Sequence, residues 1–196
     1  MPSNTIRQLT GADQTPAALA DATLILVDYQ NSYTRGAMEL TGWEAALDNA
    51  AALLSAARAA GTTVIHVQHD GGEGSLYDIR AEIGAVHPKV APLEGEAVVV
   101  KTAPNSFVGT ELGELVDAAG HQDVIVVGFM THMCVTFTSE GAMLRGNRPT
   151  VVADACASRP LATAVAEVSA EQLHQSALAT IADVYGVVVP TAADLK

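Results

Sequence analysis

Three residues with complementary reactive side chains follow apolar runs in this sequence: Asp28, Lys101 and Cys134. A thiol becomes a nucleophile when a carboxylate within hydrogen-bond reach removes its proton. A nearby ammonium favours the thiolate and lowers the pKa of the acid. An acid, an ammonium and a thiol together make a nucleophilic site that needs no histidine, provided that the fold brings them to one place.

Cys134 stands where a predicted strand passes into a predicted helix. The apolar run 124–127 ends at Gly128, a short turn follows, and Cys134 lies near the start of the helix. The free amides and the positive dipole end of a helix favour a thiolate in the first turn. Plainer interpretations stay open at this point. Cys134 can be a small buried hydrophobe, Asp28 a turn cap and Lys101 a solvated strand end.

The elements that must position these residues alternate between strands and helices. Runs rich in β-branched residues predict six strands, at 23–28, 63–67, 97–100, 124–127, 150–153 and 187–189. Helical patterns lie over 43–60, 108–119, 131–145 and 161–184, the last with a break predicted near Ser169. The alternation predicts an α/β fold of three layers, α/β/α, around a mainly parallel, Rossmann-like sheet. Because parallel strands end at one edge of the sheet, the three reactive residues are expected to converge there.

The chain reads as a single domain, 1–196, in which 1–21 form an N-terminal arm over the surface or onto a partner subunit. The stretch 68–95 holds no long periodic segment, and loops of this length usually cover or build a site. Its side chains, His69 and Tyr77 among them, could reach a substrate, although solvated loop positions are the commoner outcome.

Charge and composition exclude some classes of function. The chain of 196 residues has a formal net charge of −12, which argues against a nucleic-acid surface. It is compatible with a neutral or cationic small substrate. No stretch approaches the length of a membrane span, and the start of the chain lacks an apolar signal core. Two cysteines are too few for a disulfide scaffold, so we expect a cytoplasmic protein that binds no membrane.

Four motifs in order resemble the isochorismatase-like cysteine hydrolases, the superfamily of nicotinamidases, N-carbamoylsarcosine amidohydrolase and isochorismatase. The resemblance covers about Thr23 to Pro190. Its strongest part is the Gly-x-x-Thr-x-x-Cys-Val pattern, because it follows the other motifs in the family's order. The motifs are Leu26-Val-Asp-Tyr-Gln-Asn31, Lys101-Thr-Ala-Pro-Asn-Ser-Phe107, Gly128-Phe-Met-Thr-His-Met-Cys-Val135 and Asp154-Ala-Cys-Ala-Ser158.

The resemblance implies roles for the matching residues. Asp28 is the general base, Lys101 its electrostatic partner and Cys134 the nucleophile. A cis peptide bond is implied at Phe129-Met130, with the backbone amides of Met130 and Cys134 forming an oxyanion hole. The implied reaction is hydrolysis of a small amide, carbamoyl or lactam C–N bond through a thioester. The family also implies a homodimer or homotetramer and no organic cofactor.

Several residues near the catalytic strand ends are predicted to bind the substrate. Gln30, Tyr33 and Phe107 follow the strands of Asp28 and Lys101, and Phe129 and Thr131 lie in the turn before Cys134. Their positions, rather than any specific chemistry, carry this prediction. Cys156, in the turn after another strand, is expected to be buried and inert.

The metal site of nicotinamidases, an Asp-x-His followed by another histidine, has no clear counterpart here. His66, His69 and Asp70 occupy the matching stretch in a different arrangement. Odd spacing on a strand puts the two histidine side chains on opposite faces. We therefore predict a metal-independent enzyme.

Three other functions stay open. A vinyl ether hydrolase of the isochorismatase type acts on an anionic diacid and needs converging cations, of which the nearby loops offer Arg35, Arg80 and Lys89. A non-catalytic binding module would not need the intact Asp28, Lys101 and Cys134. A redox sensor needs a resolving thiol, and Cys156 on the next strand is expected to lie too far away.

Overall fold

The structure is a computed structural model that describes residues 3–196, and within this range it forms α-helices and strands in alternation. The helices are α1 (Ile6–Leu9), α2 (Trp43–Ala60), α3 (Leu112–Ala119), α4 (Thr136–Leu144) and α5 (Ala170–Thr180). The strands are β1 (Ala22–Val27), β2 (Thr63–His69), β3 (Ala97–Lys101), β4 (Asp123–Gly128), β5 (Arg148–Val152), β6 (Leu161–Ala162), β7 (Glu167–Val168) and β8 (Val187–Val189).

The central sheet confirms the predicted fold class. It has six strands in the order β3-β2-β1-β4-β5-β8, and every neighbouring pair is parallel. The chain builds outward from β1 to β2 and β3, and then from β4 to β5 and β8 on the other side. The reversal between β1 and β4 is the place where open α/β sheets bind ligands. Asp28 directly follows β1, and Cys134 follows β4.

The sheet strands are apolar because helices cover both faces. All six residues of β1 are buried, and Val124 to Val127 of β4 are inaccessible to solvent. Helix α2 buries a stripe of small and branched residues against the sheet: Ala46, Leu47, Ala50, Leu53, Leu54 and Ala57. This rigid centre fixes the strand ends from which the reactive residues project.

The helix predicted over 161–184 is wrong in its first part. Residues 161–168 form the β6–β7 hairpin, closed by a turn in which Thr163 Oγ1 accepts hydrogen bonds from the amides of Val165 and Ala166. Such side-chain bonds to the local backbone compete with a helix. Helix α5 begins only after Ser169, whose side chain accepts the Gln172 amide in a capping box. The break predicted near Ser169 is therefore the true start of the helix.

Two further helix boundaries need correction. Helix α3 begins at Leu112 rather than at 108, because Thr110 Oγ1 accepts the Leu112 amide and donates to the Ser106 carbonyl. The helix predicted over 131–145 opens with one π turn, Thr131–Val135, before α4 continues it. The π turn holds Cys134.

The N-terminal arm, as far as residues 3–21 describe it, packs on its own chain. The Ile6 amide donates to Asp183 Oδ1 at 2.7 Å, and the Ala17 amide donates to Thr150 Oγ1 at 3.0 Å. Residues 1 and 2 of the predicted arm lie outside the described residues. Among residues 3–196, no helix combines the length and the apolar character required to cross a bilayer.

Candidate active site

Asp28, Lys101 and Cys134 meet at the carboxyl edge of the sheet. Lys101 Nζ lies 2.7 Å from Asp28 Oδ2 and donates to Cys134 Sγ at 3.3 Å. All three residues are buried, with Asp28 at 0%, Lys101 at 1% and Cys134 at 6% exposure. Lys101 reaches the other two from β3, across β2. The convergence expected from the strand ends is thus what the structure shows.

The backbone at Asp28 turns sharply out of β1. Asp28 has a φ of 53°, in the left-handed region that side chains other than glycine seldom adopt. Its amide donates to the Val67 carbonyl at 2.9 Å, and its carbonyl accepts the Gln30 amide at 2.8 Å. Neither carboxylate oxygen has a well-directed hydrogen-bond donor among residues 3–196, so the 2.7 Å approach of Lys101 is an ion-pair contact. The carboxylate is left able to accept a proton.

The turn before Cys134 depends on Gly128. A Cβ atom on Gly128 would lie 2.0 Å from the Val27 carbonyl oxygen, so no other residue fits between β1 and β4 there. The Phe129–Met130 peptide bond is cis. The Met130 carbonyl accepts the amides of Met133 and Val135, whereas the Met130 amide has no backbone acceptor among the described residues. The Cys134 amide likewise has no backbone acceptor outside its own turn.

Burial decides the protonation state of the site. Together with the charge of Asp28, and against the smaller opposing effect of Lys101, burial raises the pKa of Cys134 to about 12. Burial also raises the pKa of Asp28, and Lys101 partly offsets this effect. At neutral pH the sulfur is therefore a thiol, although the helix end and Lys101 each favour the thiolate. An attack on a substrate requires proton transfer to a base, and Asp28 is the adjacent carboxylate.

Three of the residues predicted to bind a substrate are engaged within the protein instead. Gln30 is fully buried, and its side-chain amide forms hydrogen bonds with the backbone of His69 and Gly84. Phe129 is fully buried with its ring against Tyr29 and Tyr33, at centroid distances of 4.7 and 5.8 Å. These side chains shape the site from behind, because their strand-end positions point them into the protein.

Thr131 is the third of these residues. It is fully buried, its amide donates to the Ala157 carbonyl, and its hydroxyl hydrogen-bonds His174 Nδ1 at 2.8 Å. Phe107 lies under the guanidinium of Arg145, 5.5 Å from the ring centroid, which accounts for its position without a substrate.

Tyr33 and Tyr77 form the aromatic side of the site. Their ring centroids are 5.6 Å apart. Burial raises the pKa of both hydroxyls, and the nearby Asp28 and Cys134 raise them further. Both phenols therefore stay protonated and can donate hydrogen bonds near the thiol. Of the five predicted substrate-binding residues, Tyr33 is the one whose hydroxyl lies near the reactive cluster.

Two further polar residues lie beside the cluster. His69 Nδ1 is 3.2 Å from Lys101 Nζ. The rings of His69 and Tyr77 pack edge-to-face, with their centroids 5.1 Å apart. Burial raises the pKa of Tyr77 and lowers that of His132, and Arg159 is close enough to both to act on each pKa in the downward direction. Its Nε is buried with no hydrogen-bond partner among residues 3–196. The sequence analysis named His69 as a residue that could reach a substrate, and the structure pairs it with Lys101 in the register of β2 and β3. No sequence signal indicated Arg159.

The histidines at the end of β2 do not converge on a common point. His66 Nε2 hydrogen-bonds Glu96 at 2.9 Å, whereas His69 faces Lys101. Residues 3–196 contain no cluster of three or more histidine, cysteine or acidic side chains suited to a metal ion. Cys156 is buried as expected, with Sγ 3.4 Å from the Val152 carbonyl oxygen.

Comparison with known proteins identifies relatives over nearly the whole chain. The sequence pattern of the isochorismatase domain matches residues 22–193. An uncharacterised isochorismatase family protein of Bacillus subtilis is 40% identical over 176 residues, covering 88% of this chain and 98% of that protein. The crystal structure of an isochorismatase from Pseudomonas putida has a TM-score of 0.95 and 42% identity, with both chains covered completely.

Proteins named for amide hydrolysis are also similar. Streptothricin hydrolase of Streptomyces noursei is 36% identical over 135 residues, 69% of this chain but only 49% of that protein. Maleamate amidohydrolase of Pseudomonas putida is 29% identical, covering 69% of this chain and 72% of that protein.

Proposed function

We propose that this chain, which belongs to the isochorismatase family, hydrolyses the amide C–N bond of a small molecule with Cys134 as the nucleophile. The observation that carries the proposal is the buried cluster of thiol, carboxylate and ammonium, in which a free carboxylate lies beside a protonated thiol. The relatives named as streptothricin hydrolase and maleamate amidohydrolase support a C–N bond as the target.

The reaction begins with transfer of the thiol proton to Asp28 as Sγ of Cys134 attacks the amide carbonyl. The carbonyl oxygen becomes an oxyanion, to which the amides of Met130 and Cys134 donate. The tetrahedral intermediate collapses, the C–N bond breaks, and Asp28 returns its proton to the leaving amine. The acyl group is then held on Cys134 as a thioester.

Water completes the cycle. Asp28 takes a proton from the water as its oxygen attacks the thioester, and the second tetrahedral intermediate expels the thiolate, which recovers the proton from Asp28. Lys101 stabilises the negative charge as that charge passes between Asp28 and Cys134. No step requires a metal, and His66 and His69 do not supply converging ligands for one.

The charges around the site favour a substrate that carries one carboxylate. The three cations of the nearby loops are already paired with acidic side chains. Arg35 pairs with Glu82, Arg80 with both Asp70 and Asp78, and Lys89 with Asp48. Arg159 has no ion pair among residues 3–196, and Tyr77 is near enough to feel the charges of Arg159, Asp28 and Cys134. An arginine binds a carboxylate through two parallel hydrogen bonds. This proposal replaces the cationic substrate that the acidic composition suggested.

The other functions fit less well. A diacid substrate for vinyl ether cleavage needs more than one available cation, and among residues 3–196 Arg35, Arg80 and Lys89 are paired, which leaves Arg159. A peroxide sensor needs a thiolate, whereas the pKa of Cys134 is about 12. A binding module would have no use for a buried ion pair beside a thiol.

The test is turnover of a panel of half-amides, N-carbamoyl amino acids, nicotinamide and a streptothricin-type lactam, by wild type and by Cys134→Ala. Ammonia release reports the first three classes, and a mass gain of one water reports lactam opening. Turnover of a carboxylate-bearing amide that is lost in Cys134→Ala supports the proposal. Turnover that survives in Cys134→Ala contradicts it, and no turnover of any compound returns the function to binding or sensing.

A further inference from the structure

We propose that His69 is a positioning residue whose neutral imidazole holds the Lys101 ammonium between Asp28 and Cys134. The inference rests on the proposed function, because it assigns His69 a role in that same site. It concerns a residue that would not touch the reacting atoms and acts through Lys101.

The ammonium of Lys101 lies within 3.3 Å of three atoms that can accept a proton or pair with its charge. Nζ lies 2.7 Å from Asp28 Oδ2, 3.3 Å from Cys134 Sγ and 3.2 Å from His69 Nδ1. The Lys101 side chain is wholly buried, so its ammonium has no exposed surface in the intact protein. A lysine side chain is flexible and its ammonium is a point charge, so its position depends on the acceptors around it. Without His69, only Asp28 and Cys134 of these three neighbours would remain to fix the position of the Lys101 ammonium.

The contact also defines the tautomer of His69. An ammonium has only donors, so Nδ1 must present its lone pair and the ring proton must reside on Nε2. A second proton on the ring would set one cation against another at 3.2 Å. The charged and titratable groups facing His69 are Lys101, Asp28, Asp70 and Tyr77. Burial and Lys101 lower the pKa of His69 more than Asp28 and Asp70 raise it, so the ring is neutral at pH 7.

Residues outside the catalytic cluster hold His69 in place. Gln30 Oε1 accepts the His69 amide at 2.9 Å, and Gln30 Nε2 donates to the His69 carbonyl at 2.9 Å. The ring packs edge-to-face against Tyr77 with an interplanar angle of 72°. The buried side-chain amide of Gln30 therefore fixes the backbone of His69, from which the imidazole reaches Lys101.

The test compares His69→Ala with His69→Asn, because the Asn carbonyl oxygen can occupy the place of Nδ1 and does not titrate. The first readout needs no substrate: the rate of iodoacetamide alkylation of Cys134 at pH 8, with Cys134→Ala as the blank. We expect His69→Ala to raise the thiol pKa and so slow alkylation about tenfold. His69→Asn is expected to stay within about threefold of wild type.

Turnover of the best substrate of the panel gives the second readout. We expect His69→Ala to lower kcat by roughly 10- to 100-fold with little change in KM, and His69→Asn to restore most of it. A role limited to packing would instead lower kcat and thermal stability in parallel in both variants. The proposal is overturned if His69→Ala alkylates at the wild-type rate, or if His69→Asn is no better than His69→Ala. The alkylation result stands even if no amide is turned over, so failure of the proposed function is distinguishable from failure of this inference.

Discussion

Nζ of Lys101 lies 2.7 Å from Oδ2 of Asp28, and both side chains are completely excluded from solvent. Burial removes the hydration of two charges, and their mutual attraction compensates for that loss only when the geometry is good and the remaining polar atoms are hydrogen-bonded. Here the carboxylate oxygens lack well-directed donors. The pair is therefore a poor source of stability, whereas in the proposed mechanism its carboxylate must receive a proton.

The stability of single and double variants tests this view. Asp28→Asn and Lys101→Met each leave one charge buried without a partner, and each is expected to cost about 3–5 kcal/mol of unfolding free energy. The double variant buries neither charge and is expected to lie closer to wild type than either single variant. Urea unfolding at pH 7 measures all four proteins. If the loss of unfolding free energy in the double variant equals the sum of the two single losses, the two charges do not stabilise each other.

The reactivity of Cys134 with iodoacetamide tests the protonation state of the site. Burial and Asp28 raise the pKa of the thiol to about 12, so the thiolate fraction grows tenfold per pH unit below that value. The alkylation rate is expected to rise steadily from pH 7 to pH 10. Asp28→Asn removes a negative charge and keeps Lys101, so it is expected to lower the thiol pKa and speed alkylation. An alkylation rate that levels off near pH 8 in wild type would mean that the Lys101 ammonium or the helix end outweighs burial in setting the thiol pKa.

Arg159 is expected to select substrates by their charge. Arg159→Gln removes a charged hydrogen-bond donor and is expected to lower kcat/KM for a carboxylate-bearing amide about 10- to 100-fold. The corresponding neutral amide should be affected little. Arg35→Gln is the matched control, because Arg35 is already paired with Glu82 at the surface. An equal loss for charged and neutral amides would show that Arg159 does not bind the carboxylate.

The location of the site was predictable from sequence, whereas its protonation state was not. Asp28, Lys101 and Cys134 each come at or after a strand of a parallel sheet, and the topology brings such positions to one edge. The helix end, a local feature, favours a thiolate. The pKa of Cys134 is governed instead by burial and by Asp28, which is more than a hundred residues away in sequence.

The side chains around the cluster were the least predictable part. Gln30, Phe129 and Thr131 have polar or aromatic side chains at the strand ends, yet their partners are Gly84, Tyr29 and His174 on distant segments. Arg159 was missed for the same reason. It precedes the β6–β7 hairpin, which the sequence presented as part of a helix, and only the folded loops bring it near Tyr77.

Glu96 is expected to make stability sensitive to acid. Its carboxylate accepts from Arg58 Nε at 2.7 Å and Nη2 at 2.8 Å, from the Leu93 amide at 2.8 Å, and meets His66 Nε2 at 2.9 Å. These bonds, above all those of Arg58, lower the pKa of Glu96 from 4.5 to about 2. Because the folded-state pKa is the lower one, the stabilisation is complete above the unfolded value and is lost as the pH falls towards 2.

Unfolding measured at pH 7, 4 and 3 tests this linkage. Glu96→Gln is expected to cost roughly 2 kcal/mol at pH 7, the scale of hydrogen bonds to a charged group. The difference from wild type should shrink as the pH falls below 4.5. Glu94→Gln is the control, since Glu94 is exposed and has no ion pair among residues 3–196. A constant difference at all three pH values would contradict the assigned role.

The central claim is a thioester on Cys134, and partition of the acyl group between water and hydroxylamine tests it most directly. Two amides with the same acyl group and different leaving amines are hydrolysed in the presence of hydroxylamine, and the ratio of hydroxamate to acid is measured for each. A common thioester requires the same ratio for both amides, and Cys134→Ala should form neither product. A ratio that changes with the leaving amine, or products formed by Cys134→Ala, would show that the reaction does not pass through that intermediate.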